Sequence, residues 1–238
     1  MRRVAAGHRV DADDGRHEKG NDMRVLVIGA TGRTGRLLAA QLAASGHEVR
    51  GMIRDSAKAN ELRDIGAEPV HGDLDGELGT VFDSVDAVAF CAGSGGHTGA
   101  DATARIDLHG AVRSLDECTR LGIRRFVMLS SWNAPDPMAN PKERRHYFAA
   151  KHAVDRILMA SGLDYTIVRP GKLTDDPPTG RVQVGSGLPR PGQVPRADLA
   201  AVLAACLEEP ATIGAAFELV SGDVPIADAL REIAPVTE

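Results

Sequence analysis

From residue 24 onward, short apolar runs alternate with stretches of helical period. Arg24–Gly29 (RVLVIG) is almost continuous in branched apolar residues, the mark of a strand buried on both faces. Leu37, Leu38, Leu42 and Ala44 then supply one apolar face and predict a helix over Gly32–Ser45, stopped by Gly46. Further strands are expected at His47–Arg54, Glu68–His71, Asp86–Cys91 and Arg124–Ser131, with a helix near Ala57–Ile65. Leu108, Ala111, Val112, Leu115 and Cys118 fall at helical spacing and predict a long helix over about residues 102–121. A helix from about Pro141 to Ser161 leads into a sixth strand, Asp164–Arg169. The Gly- and Pro-rich residues 170–195 read as an excursion over the sheet, with a hairpin at Arg181–Ser186. A helix at Arg196–Glu208, a strand at Ala215–Ser221 and a last helix from Pro225 complete the pattern.

Repeated βα units imply an α/β fold, a Rossmann-type doubly wound parallel sheet with helices on both faces, because right-handed crossovers place them there. The stretch after the sixth strand predicts a short C-terminal extension on the substrate side. Residues 1–22 differ from all of this. Five basic and five acidic residues mix there without apolar periodicity, so the segment is expected to be disordered, with residues 23–238 forming the folded domain and Met23 its natural start.

Composition narrows the picture further. Hydrophobic residues make up 43% of the 238 and charged residues 26%, ordinary for a globular chain large enough to bury a core without staples. Aromatics are only 3% and the net charge is −5, which argues against base-stacking nucleic-acid modules and against a general polyphosphate-binding surface. No apolar run approaches a membrane span, and without a charged-then-apolar stretch and small-residue cleavage site near residue 1 secretion is not expected. Cys91, Cys118 and Cys206 form neither a CxxC pair nor a disulfide framework, so a reduced, cytoplasmic setting is expected.

The candidate chemistry begins at the turn after the first strand, Gly29-Ala30-Thr31-Gly32-Arg33-Thr34-Gly35. Glycines at these places let the chain turn tightly, admit a ligand close to the backbone and let the helix pack on the sheet. The helix N-terminus that follows offers free amides to a pyrophosphate. At the end of the second strand stands Arg54-Asp55-Ser56, where dinucleotide folds read the adenosine ribose. Arg54 and Ser56, flanked by Arg33, suit the 2′-phosphate of NADP; the alternative has Asp55 holding the ribose hydroxyl of NAD. Asp73 and Leu74 follow the third strand, where an acid can meet the adenine amino group or cap a helix. Cys91, Ala92 and Gly93 follow the fourth, small enough for backbone to lie along a cofactor, with Cys91 read as a buried hydrophobe rather than a nucleophile.

Tyr147 and Lys151 lie four residues apart and share a helix face. An ammonium beside a phenol favours the phenolate and also bonds ribose hydroxyls, so Tyr147 is the candidate acid/base. His97, His146 and His152 form no metal-ligand set, and Lys142 through Arg145 read as a solvated helix face.

GATGRTG, GDL, CAG, LSS, YFAAK and VRPG occur in this order over Met23–Glu238. Together they resemble the short-chain dehydrogenase/reductase superfamily, in its small atypical NAD(P)H-binding branch of epimerase/dehydratase-like and flavin-reductase-like proteins. The resemblance implies NAD(P)(H) binding and hydride transfer. With Arg54 suited to a 2′-phosphate, NADP(H) is expected over NAD(H), and the acceptor or donor is expected to be a small carbonyl, quinone or flavin. By the family pattern Tyr147 is the acid/base, Lys151 the ribose-binding activator and Ser131 the substrate polariser, with Ser130 beside it in the cofactor site. Pro170, Gly171 and Leu173 are placed beside the nicotinamide. The family's helix asparagine is not evident, Arg113 and Ser114 standing near its position. A non-catalytic NADP(H)-binding redox sensor is the main alternative. A sugar-nucleotide epimerase is less favoured, because the tail leaves little room for a second lobe.

Overall fold

The computed structural model describes residues 22–95, 98–189 and 191–233; the expectation for residues 1–21, and His97, lie outside them. Seven parallel strands form the centre of the molecule: β1 (Arg24–Ile28), β2 (Glu48–Ile53), β3 (Glu68–His71), β4 (Ala87–Phe90), β5 (Arg125–Leu129), β6 (Asp164–Pro170) and β10 (Ala215–Ser221). They run in the order β3-β2-β1-β4-β5-β6-β10, so the winding reverses between β1 and β4. That reversal opens a crevice at the carboxyl ends of the strands, where ligands of such sheets bind.

The two-residue period of β1 divides the core. Val25 and Val27 face α1 (Arg33–Ala44) and α6 (Arg196–Glu208), in a cluster with Leu38, Leu42, Leu199 and Leu203. Leu26 and Ile28 face the other way, with Phe90, Leu115, Phe126, Val154 and Leu158 of α4 (Ala111–Leu121), α5 (Arg145–Met159) and the strands between. Each such fully buried side chain contributes about 1.5–3 kcal/mol, which explains why β1 shows no polar alternation.

Two features differ from the expectation. Arg181–Gly185 forms a strand, β8, but not a local hairpin: it pairs antiparallel with β10, Leu219 opposite Val184, and β11 (Val224–Pro225) pairs with its other side. Long-range pairing fits because Val182 and Leu219 are buried in the same cluster. The excursion also carries a small parallel pair of its own, β7 (Lys172–Thr174) with β9 (Gln193–Pro195). The helix expected from Pro141 begins as a 3₁₀ turn at Lys142–Arg144 before α5 proper. The small helix α2 (Ala59–Arg63) precedes β3, and α7 (Ile226–Arg231) ends the described chain.

Helix α3 (Ala100–Ala102) continues through a π-helical stretch, Thr103–Gly110, into α4. Wide turns of this kind occur where a side chain is re-aimed, frequently at functional sites. Here the stretch carries Asp107, which is 1% exposed.

Candidate active site

The glycine turn is built for an anion. Gly29 has φ +88°, and the Gly32 N–H donates to its carbonyl at 2.9 Å. A Cβ on Gly35 would stand 2.2 Å from that same oxygen, and one on Gly29 would stand 2.7 Å from Ala92 N. The turn and the loop after β4 are therefore pressed together with no space for side chains. Helix α1 has Gly32 as its N-cap, so no side chain caps it, and it has no acid in its first turn. Its first amides are left for a bound anion, with the positive end of the helix dipole behind them.

Two adjoining cavities share Gly32, Cys91, Ala92 and Gly93. The smaller, about 360 Å³, is lined by Gly29 and Thr31 of the glycine turn and by Arg54, Asp73 and Leu74, which follow the second and third strands. The larger, about 1020 Å³, is lined by Arg33, Thr34 and Gly35 at one end. Ser130, Ser131, Tyr147, Lys151, Pro170, Gly171 and Leu173 line it as well. Three assigned residues line neither cavity. Ala30 is fully buried in the core, Asp55 accepts a hydrogen bond from Ala57 N–H at 2.9 Å, and Ser56 opens a short 3₁₀ turn.

On α5 the polar residues Tyr147, Lys151 and Asp155 recur every four residues, beside an apolar face of Phe148, Val154 and Leu158. Lys151 is 3% exposed, and its ammonium lies 5.9 Å from the centre of the Tyr147 ring. It donates to Leu129 O at 3.4 Å and pairs with Asp107 Oδ1 at 3.5 Å. Burial pulls this ammonium down, but Tyr147, Asp107 and Asp155 outweigh it and hold the Lys151 pKa above the ordinary lysine value. The second oxygen of Asp107 accepts the Ser94 N–H at 2.9 Å, so one carboxylate joins the π-helical stretch, the β4 loop and Lys151.

Asp155 receives Arg169 Nε at 2.9 Å from β6. Burial pushes its carboxyl up, against the pull of Arg169 and the Ser130 hydroxyl. Ser130 is buried and Ser131 half-buried on the cavity wall. Burial also pushes the Cys91 thiol up to about 12, despite the nearby Lys151.

Asp107 was not singled out from sequence. Its signal was an acid four residues before Ala111 on the stripe that continues to Leu115 and Cys118, where a charge has no place without a partner. The two residues near the family's asparagine position do other work: Arg113 donates to Leu74 O and Gly76 O, and Ser114 to Gly110 O. Among the described residues no group of His, Cys, Asp and Glu is placed to hold a metal, and no helix is long and apolar enough to cross a membrane.

A family model described as NAD(P)H-binding matches residues 29–210, from the glycine turn to the end of α6. The chain belongs to this family. Within it the chain falls in the atypical branch of the short-chain dehydrogenases/reductases. YhfK of Bacillus subtilis, an uncharacterised sugar epimerase by name, is 40% identical over 215 residues, covering 89% of this chain and 100% of that protein. A Bacillus halodurans structure, provisionally named an NAD-dependent epimerase/dehydratase, is 43% identical with a TM-score of 0.86, covering 89% of this chain and 100% of that one. The oxidoreductase YlbE of Lactococcus lactis is 25% identical with a TM-score of 0.79, over 89% and 96% of the two chains. The uncapped α1 N-terminus and the side-chain-free cradle at Gly29, Gly32 and Gly35 fit the pyrophosphate of an NAD(P)H.

Proposed function

We propose that the protein is an NADP(H)-preferring oxidoreductase that reduces a small carbonyl, quinone or flavin. One observation carries this reading: Tyr147, Lys151 and Ser131 line the same cavity as the glycine turn and Pro170–Leu173. When bound, the dihydronicotinamide supplies the hydride. Tyr147 delivers the proton to the substrate oxygen, and Ser131 donates a hydrogen bond to that oxygen as charge develops on it. Lys151 keeps a positive charge beside the phenol and serves the ribose hydroxyls. Asp107 holds that ammonium in place.

The coenzyme preference is supported by the adenosine end. Arg54 lines the smaller cavity and is exposed there, while the carboxylate of Asp55 is engaged by Ala57 N–H. An arginine at this position favours a 2′-phosphate over a bare hydroxyl.

The names of YhfK and of the Bacillus halodurans protein raise epimerisation as a second reading. The described residues of 171–195, however, form only β7, β8, β9 and their connections, and among them there is no added lobe for a sugar nucleotide. Purified protein incubated with NADPH and a panel of aldehydes, quinones and flavins tests the reductase reading through loss of absorbance at the nicotinamide band. Tight NADPH binding without oxidation by any acceptor overturns it and leaves the sensor reading in its place.

A further inference from the structure

The cations around the larger cavity are not equally answered. Arg33 and Arg196 both pair with Asp175, the latter at 2.8 Å, and Lys151 pairs with Asp107. Arg144 and Lys172 also line the cavity, yet among the described residues neither is within ion-pair distance of a carboxylate. The one acid in the lining, Glu143, is likewise unpaired and does not neutralise them.

Arg144 is also held in place. Its guanidinium carbon stands 5.0 Å from the centre of the Phe148 ring and 5.8 Å from that of Tyr147. Aromatic faces of this kind attract the flat side of a guanidinium and leave its N–H edges free. A free surface arginine loses much rotamer freedom when it binds an anion; one resting on two rings loses less. The forked edge of Arg144 is thus presented at the wall that carries Tyr147, the proposed proton donor. Lys172, exposed on β7 beside Gly171, adds a second unpaired positive charge to the same cavity.

We propose that the substrate is an anion, a carbonyl compound bearing a carboxylate, and that Arg144 receives this carboxylate while the carbonyl oxygen lies at Tyr147. The assignment rests on the reductase reading above for the role of Tyr147, but the recognition of the carboxylate does not require turnover. Planar bidentate pairing is what distinguishes arginine from lysine at such a site, so the geometry selects a carboxylate over a neutral polar group of the same shape.

The test uses two probes of nearly equal size, 4-carboxybenzaldehyde and 4-carbamoylbenzaldehyde. Each is titrated calorimetrically into the protein loaded with NADP+, where no reduction occurs, and each is then offered with NADPH. The carboxylate is expected to bind the loaded wild type about tenfold or more tightly than the amide, the usual worth of a charge-assisted bond. Arg144→Gln should abolish that preference and leave NADP+ affinity unchanged, which shows that the variant is folded. Arg144→Lys should restore part of it, since the charge returns without the fork. Equal binding of the two probes, binding of neither, or a preference that persists in Arg144→Gln overturns the proposal. A carboxylate preference without reduction of either aldehyde supports the proposal and, if no other acceptor of the panel oxidises NADPH, defeats the reductase reading. Reduction of both aldehydes without a preference does the reverse.

Discussion

Lys151 and Asp107 form an ion pair of 3.5 Å with side chains 4% and 0% exposed, joining two helices that are 44 positions apart in sequence. The pair is withdrawn from water at the wall of the cofactor cavity. Buried pairs of this kind add little net stability against an apolar replacement of both partners, yet losing one partner strands the other charge. Its value is positional: it fixes where the ammonium stands relative to Tyr147.

Asp107→Leu should therefore destabilise the protein by about 3–5 kcal/mol, the usual cost of an orphaned buried charge. Asp107→Leu combined with Lys151→Met should recover much of that loss. Urea unfolding of the two variants and the wild type checks this; a double variant no more stable than Asp107→Leu would show that the two side chains are not coupled.

The raised Lys151 pKa has a consequence at high pH. A lysine whose folded value exceeds its unfolded value stabilises the fold fully below the unfolded value, and loses that contribution as pH rises through the folded one. The unfolded value is about 10.5. The stability difference between wild type and Lys151→Met should therefore be flat through neutrality and shrink only at pH above that value. Denaturant midpoints measured across the alkaline range give the answer, and a difference that grows with pH there contradicts the assignment.

Tyr147→Phe retains the ring and removes only the hydroxyl. The cofactor dissociation constant should stay nearly unchanged, while carbonyl reduction falls by about 10²–10⁴-fold, the worth of a positioned proton donor. Cofactor titration alongside steady-state rates separates the two effects. Wild-type turnover in this variant would remove the proton donor from the mechanism.

Arg54→Ala should weaken NADPH about tenfold or more and leave NADH nearly untouched, because the guanidinium is assigned to the 2′-phosphate, which NADH lacks. Both coenzymes titrated into both proteins decide it. Equal wild-type affinities would defeat the preference for NADP(H).

Cys91 lines both cavities, while its thiol is packed against the hydrophobic core. With its pKa pushed up to about 12, almost none of it is thiolate at pH 8. Iodoacetamide at that pH should modify the native protein far more slowly than the unfolded chain. Rapid alkylation of Cys91 in the native state would show an activated thiol.

The parts of the site that were legible in sequence are the locally encoded ones. Val25–Gly35 declares a strand, a turn and a helix start within eleven positions, and the turn's ligand chemistry follows from its glycines alone. Tyr147 and Lys151 need only one helix to meet. What sequence concealed depends on contacts across the fold. Asp107 has meaning only beside Lys151, and β8 finds its partner more than 30 positions away in β10. Arg144 belongs to a run of charges that reads as a solvated face. Only the packing of α5 and its leading turn against the sheet shows that one member of the run turns over the rings of Tyr147 and Phe148.

The meeting of Gly171 and Gly192 bears on how this protein can diversify. A Cβ on Gly171 would stand 2.2 Å from Gly192 O, and one on Gly192 would stand 2.9 Å from Val220, so both ends of the intervening segment are clamped to the sheet at positions closed to any larger residue. The Lys172 N–H adds a 2.9 Å bond to Gly192 O across the clamp. Between these pins β8 stays paired with β10 and buries Val182, but the exposed connections on either side of it can lengthen or change their side chains without moving the floor beneath them. New specificities can thus arise by drift within one tethered insert, while the machinery below it is inherited intact.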